Sequence, residues 1–184
     1  MRRSASGASA SRAEPTVARN VEIKARIGST RELEPRVRAI AGAAPVELHQ
    51  ADVFFHCGQG RLKLRRHSGG AAELIYYRRP DTPGPRESRY LRTEVADAAG
   101  LERQLAGAYG IRAMVRKRRL VYISGRTRIH LDEVEGLGHF LELEVVLADG
   151  EDAAAGVREA HALMEQLGIA EAQLLHTAYV DLLA

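Results

Sequence analysis

The chain has 184 residues, 45% of them hydrophobic, which suits one domain with a sizeable core and leaves little room for two. Its single cysteine, Cys57, excludes an internal disulfide and so a disulfide-stapled scaffold, and is expected to act as a small buried hydrophobe rather than a nucleophile. No apolar run approaches the roughly 18 residues of a membrane span and no signal-peptide core is present, so no membrane partner and a cytoplasmic location are expected. A net charge of +3 favours a polyanionic partner without separating nucleic acid from a nucleotide or a phosphate chain.

Residues 1–17 are Ser-, Ala- and Arg-rich, bury too little apolar surface to offset their ordering entropy, and are read as a disordered tail ahead of a domain at 18–184. Strict alternation from Asn20 to Ile27 then predicts a strand with Glu22 and Lys24 on one face and Val21, Ile23, Ala25 and Ile27 on the other. A helix is expected over Leu33–Ala41, closed by Gly42, with Pro35 tolerable only in its first turn. Strands follow at Ala51–Phe55, Arg61–Arg65, Glu73–Arg79 and Arg89–Val95, separated by turn-forming residues. Asp97 caps a helix that runs to Tyr109. Val115–Ile123, Thr127–Glu133 and Phe140–Leu147 are strands, the first two joined by a Ser124-Gly125 hairpin turn. A helix over Glu151–Leu167 ends at Gly168, and Glu171–Leu183 reads as a last short helix.

About eight strands with few helices define an α+β, mainly β chain whose natural closure is an antiparallel β-barrel with helices packed outside. For any one strand a charged face is normally a solvent face. Here the opposite faces are aliphatic enough to need covering by the helices, which turns the charged faces inward. Collected on those faces are the carboxylates Glu22, Asp132, Glu142 and Glu144 and the cations Lys24, Lys63, Arg65, Lys117, Arg119 and Arg128. Buried charges persist only when paired, metal-bound or ligand-bound. Carboxylates suit Mg²⁺ or Mn²⁺ and Lys and Arg suit phosphate oxygens, so the mixture fits a metal-complexed polyphosphate.

The motif NVEIK at Asn20–Lys24 resembles the E-x-E-x-K signature of the CYTH family, the triphosphate tunnel metalloenzymes that include class IV adenylyl cyclases and thiamine triphosphatases. Gln50, Asp52 and Phe54, then RLKLR at Arg61–Arg65, LIYYRR at Leu74–Arg79, VRKRRLVY at Val115–Tyr122, RIHLDEVEGLGHFLELEV at Arg128–Val145 and YVDLL at Tyr179–Leu183 continue the likeness in order. The resemblance implies a tunnel in which Glu22, Glu142 and Glu144 bind Mg²⁺ or Mn²⁺ with Asp132 as an additional carboxylate. It implies that Lys24, Lys63, Arg65, Lys117, Arg119 and Arg128 hold phosphate, and that Glu22, Lys24 and Asp132 serve catalysis. The expected partner is a triphosphate such as ATP, thiamine triphosphate or tripolyphosphate, in a chain that could pair as a homodimer. Asn20 departs from the pattern by replacing the first glutamate, which removes a negative charge and puts a second metal in doubt.

Two activities fit these parts, triphosphate hydrolysis and cyclisation of ATP with loss of pyrophosphate. A non-catalytic nucleotide or polyphosphate receptor is the alternative. An RNA-binding barrel has little support from 5% aromatic residues and no Trp. His130 reads equally as a structural histidine or a substrate contact, Tyr76 and Tyr77 as packing residues, and Arg116 and Arg118, of opposite parity to Lys117 and Arg119, as outer-face cations.

Overall fold

The computed structural model describes residues 17–82 and 84–183; the expected N-terminal tail lies outside the described residues except for Val17. The order is β1 (Ala18–Ile27), α1 (Thr30–Ile40), β2 (Val46–Phe55), β3 (Arg61–His67), β4 (Ala72–Arg78), β5 (Arg86–Glu94), α2 (Ala98–Tyr109), β6 (Ile111–Ser124), β7 (Thr127–Val134), β8 (Gly138–Val146), α3 (Ala153–Leu167), a 3-10 turn (Glu171–Gln173) and α4 (Tyr179–Leu182). The strands close into a barrel in the order β1-β5-β4-β3-β2-β6-β7-β8, every pair antiparallel.

Aliphatic residues alternate with charges on these strands, and the helices decide which face turns in. Val21, Ile23, Ala25, Ile129, Leu131, Leu141, Leu143 and Val145 form the outer face of β1, β7 and β8. They pack against Leu33 and Val37 of α1 and Ala160, Leu163, Met164 and Leu167 of α3. Each of the larger side chains contributes about 1.5–3 kcal/mol when fully buried, so covering this face outweighs leaving it wet. α3 comes very close at Gly156, where a Cβ would meet Val21 and Leu147 side chains at 2.9 Å. On the other side Val53, Phe55 and Leu64 pack against Leu101 and Leu105 of α2. Asp97 caps α2 by accepting from the Gly100 N–H at 2.8 Å, and Gly168 ends α3 in the left-handed conformation at φ 70°.

Three expectations need correction. α1 begins at Thr30, so Pro35 lies inside the helix; burial of Thr30, Leu33 and Val37 against the barrel outweighs the hydrogen bond that proline cannot donate. Cys57 is exposed in the β2–β3 turn, its thiol donating to the Gln59 carbonyl at 3.0 Å. The helix expected over Glu171–Leu183 is instead a 3-10 turn, an extended stretch and the four residues of α4. The reason is a gap in the barrel. β5 pairs with β1 only as far as Glu22, and the freed backbone of Lys24 and Ala25 is taken up by the Leu174 bridge to Ala25 and the Leu175 N–H donating to the Lys24 carbonyl at 2.7 Å.

That extended stretch carries α4 across one end of the barrel. There Tyr179 and Val180 join Phe54, Val115, Val134 and Phe140 in a separate apolar cluster that closes the end. Asp181 fastens it by accepting from Arg61 at 2.8 Å, Arg112 at 2.7 Å and its own turn's Ala178 N–H at 2.9 Å. At the opposite end Arg92 and Arg128 are partly exposed to solvent. No described helix is long and apolar enough to cross a membrane.

Candidate active site

Because side chains alternate across each strand, inward-facing residues of all eight strands line one cavity of about 140 Å³. Eight cations line it, Lys24, Lys63, Arg65, Arg79, Arg92, Lys117, Arg119 and Arg128, against five carboxylates, Glu22, Asp52, Glu73, Glu142 and Glu144. The surplus of positive charge fits a polyanion. Arg116 and Arg118 lie outside as expected, Arg118 paired with Glu47 and Glu133 on the surface.

On the β2–β3–β6 side three cations converge on Asp52. Arg65 donates to both its oxygens at 2.7 and 2.8 Å, and Lys63 and Lys117 reach it at 2.9 and 3.3 Å. Burial pushes the Asp52 carboxyl up, but Arg65, Lys117 and Lys63 outweigh it and hold the group well below the usual carboxylate range. The lysines are under-neutralised. Burial, aided by the neighbouring Arg65, brings Lys63 down to about 8; burial, together with Arg119, Arg65 and Lys63 nearby, brings Lys117 down to about 7.

On the β1–β7–β8 side Glu142 accepts from Arg119 at 2.6 Å and lies 3.3 Å from the Lys24 ammonium, while Glu144 accepts from Arg128 at 3.3 Å. Burial opposes ionisation of Glu142, yet Lys24 and Arg119 hold it well below its ordinary range. Glu22, whose register partner on β8 is Glu144, is paired with Arg79. The Lys24 ammonium also lies 3.7 Å from the centre of the Tyr179 ring, a cation–π contact.

The structure brings together Glu142, Glu144 and the buried ring of His130, whose metal-ligating atoms all lie within 4.8 Å of one another. The donor set fits a divalent cation: two carboxylates and an imidazole nitrogen that has no hydrogen-bond partner. Asp132 is not part of that group. Both its oxygens accept from Arg119 at 2.6 Å, and one also accepts from the Tyr179 hydroxyl at 2.8 Å. Burial raises its pKa, but Arg119 dominates and brings it to about 2. Asn20 lines the cavity beside Glu22 on the same strand face, its Oδ1 buried without a partner.

The strand alternation alone points Asp52 inward beside Phe54, though not to the three cations it pairs with. Arg79, one residue past the end of β4, keeps the inward parity of Glu73, Ile75 and Tyr77, a signal the period did carry, whereas Tyr179 enters at the start of the short α4.

A closed barrel lined with charge and covered with helices on its apolar outside is the architecture of a tunnel. The chain matches the CYTH domain over residues 18–179 and belongs to that family. It is 24% identical over 173 residues to a Methanocaldococcus jannaschii protein named "Putative adenylate cyclase", covering 88% of this chain and 97% of that one. A Pyrococcus horikoshii protein superposes with a TM-score of 0.80 at 23% identity, covering 89% of this chain and 98% of its own. A Hippeastrum protein described as having a dominant triphosphatase activity superposes with a TM-score of 0.59 at 16% identity, covering 88% and 91%.

Proposed function

We propose that the protein is a divalent-metal-dependent enzyme that hydrolyses a triphosphate held inside the tunnel. The observation that carries this reading is the adjacency of an under-neutralised cation cluster, Lys63, Arg65 and Lys117 around one Asp52, to the His130–Glu142–Glu144 group. The first suits phosphate oxygens and the second a cation that complexes them.

In this mechanism Lys24, Lys63, Arg65, Lys117, Arg119 and Arg128 hold the phosphate chain extended and in line. Asp132 holds the Arg119 guanidinium by a two-pronged contact and Tyr179 holds Asp132 in turn. Glu142 and Glu144 hold the metal, which when bound offsets charge on the phosphate oxygens. Glu22 leaves Arg79 to a phosphate oxygen and accepts the proton of the water whose oxygen attacks the terminal phosphorus; the bond to the bridging oxygen breaks and the shortened chain keeps that electron pair. Fixed cations in a buried cavity stabilise the developing charge without reorganising.

Cyclisation of ATP is the second reading, favoured by the name of the M. jannaschii relative, and requires the ribose 3′-oxygen rather than water at the α-phosphorus. The deciding experiment incubates the full chain with ATP, GTP, thiamine triphosphate and tripolyphosphate, each with Mg²⁺ or Mn²⁺, and identifies products. Orthophosphate release with a diphosphate product is expected; cyclic nucleotide and pyrophosphate would establish the second reading, and no turnover of any of them would leave a receptor.

A further inference from the structure

We propose that His130 is a nitrogen ligand of the tunnel's divalent cation, completing with Glu142 and Glu144 a one-histidine, two-carboxylate site that selects Mn²⁺ over Mg²⁺. The inference rests on the reading that Glu142 and Glu144 hold metal, and adds to it a ligand and a metal preference.

His130 lies on β7 with Arg128 and Asp132 on the same face, and its register partner on β8 is Glu142. It is 4% exposed. Its Nδ1 stands 3.8 Å from Glu142 Oε2 and 3.9 Å from Glu144 Oε1 and has no hydrogen-bond partner. These separations are too long for hydrogen bonds, which lie near 2.7–3.2 Å. They fall in the range one ion can span: with ligand bonds of about 2.1 Å, two donors lie between about 3 Å apart at right angles and about 4.2 Å at the widest. A buried ring nitrogen aimed between two carboxylates and bonded to neither is costly unless something joins all three. Arg119 and Arg128 hold the same two carboxylates, Arg128 on the other Glu144 oxygen and Arg119 on Glu142 Oε2, whose second lone pair stays open to a cation.

The preference follows from the donors. Mg²⁺ takes oxygen ligands and keeps its waters, whereas imidazole nitrogen suits transition ions, which the Irving–Williams order places from Mn²⁺ upward. Asn20 pushes the same way, since a site short of one carboxylate at the E-x-E-x-K position holds a hard, strongly hydrated ion less well.

The test is pulsed EPR of Mn²⁺ bound to the full-length wild-type protein, prepared with natural-abundance and with ¹⁵N-labelled histidine. Nitrogen modulation on the Mn²⁺ signal that changes with the label, and is lost in His130→Gln, is the expected result. In calorimetry that variant should bind Mn²⁺ at least roughly tenfold more weakly while its Mg²⁺ affinity changes by less than about twofold, so the nitrogen contribution is separated from general damage. The isotope comparison on wild type needs no variant to fold. Bound Mn²⁺ without nitrogen modulation, or modulation that persists in His130→Gln, overturns the assignment and leaves metal-dependent hydrolysis standing. Failure of wild type to bind Mn²⁺ at all overturns both.

Discussion

On the β2–β3–β6 wall of the tunnel a single carboxylate, Asp52, answers three cations. On the β1–β7–β8 wall Glu22, Asp132, Glu142 and Glu144 are met by Arg79, Arg119, Lys24 and Arg128, with an unpartnered imidazole between two of them. Both walls are buried and both are charged, but only the first has its charge left over. A barrel interior can therefore be divided by balance as well as by sign: the under-neutralised wall suits an anion, and the paired wall with a spare nitrogen suits a cation.

The largest effect should come from the paired wall. Glu142→Gln or Glu144→Gln should lower turnover by at least about a hundredfold while leaving the fold in place, and chelation should stop wild-type turnover. Full turnover in a chelator would remove the metal from the mechanism. On the other wall Asp52→Asn strips three buried cations of their one counter-ion and should lower stability by about 3–5 kcal/mol in denaturant melts. Tripolyphosphate should restore most of that loss, because it supplies the missing negative charge; a variant as stable as wild type would mean that the cluster is already solvated.

Smaller effects probe the same contrast. Arg65→Ala and Lys63→Ala should each weaken tripolyphosphate binding by about tenfold, in the range of a charge-assisted hydrogen bond, with affinity falling as salt rises. Calorimetry that shows unchanged binding in both would turn this wall away from the ligand. Lys117 at about 7 and Lys63 at about 8 are partly neutral in the empty tunnel above neutrality, and a bound polyanion draws both back toward the ordinary lysine range near 10.5. Binding should therefore take up protons between pH of about 7 and about 10, and affinity should fall across that window by at most about tenfold per pH unit for each lysine. Binding heats in buffers of different ionisation enthalpy read the proton count directly. The smallest expected change is at Asn20: Asn20→Glu adds a carboxylate beside Glu22 and should tighten Mn²⁺ binding a few-fold, roughly the gain from a charged over a neutral oxygen donor. Equal or weaker binding, with and without tripolyphosphate, would separate Asn20 from the metal.

Strands were legible because a barrel wall with two unlike faces imposes a period of two, and that same period places Glu22, Lys63, Lys117 and Glu142 in one cavity. The inward direction followed from the aliphatic faces that need α1, α2 and α3. What the period does not carry is pairing. Asp132 shares its parity with the other carboxylates, yet a two-pronged contact from Arg119 and the Tyr179 hydroxyl commit both its oxygens. His130 has the right parity as well, but its distance to Glu142 and Glu144 depends on register between strands, which residue order leaves open. The C-terminal segment misled because Leu174, Leu175 and Tyr179 resemble a helical stripe, while the unpaired backbone of Lys24 and Ala25 draws the chain out straight.

Asp181 ties the last turn of the chain to Arg61 and Arg112, and Tyr179 and Phe140 fill the space behind it. With one end stoppered, a chamber entered from the other works in single file. Under the proposed function the terminal phosphate travels foremost, the organic group stays at the threshold, and the fragment cut off at the blind end departs only after the longer fragment has cleared the passage. Release order is then set by the stopper rather than by relative affinity, and product inhibition reads it: orthophosphate should compete with the incoming triphosphate as the last product out, whereas a diphosphate that alone competes would point to a second exit.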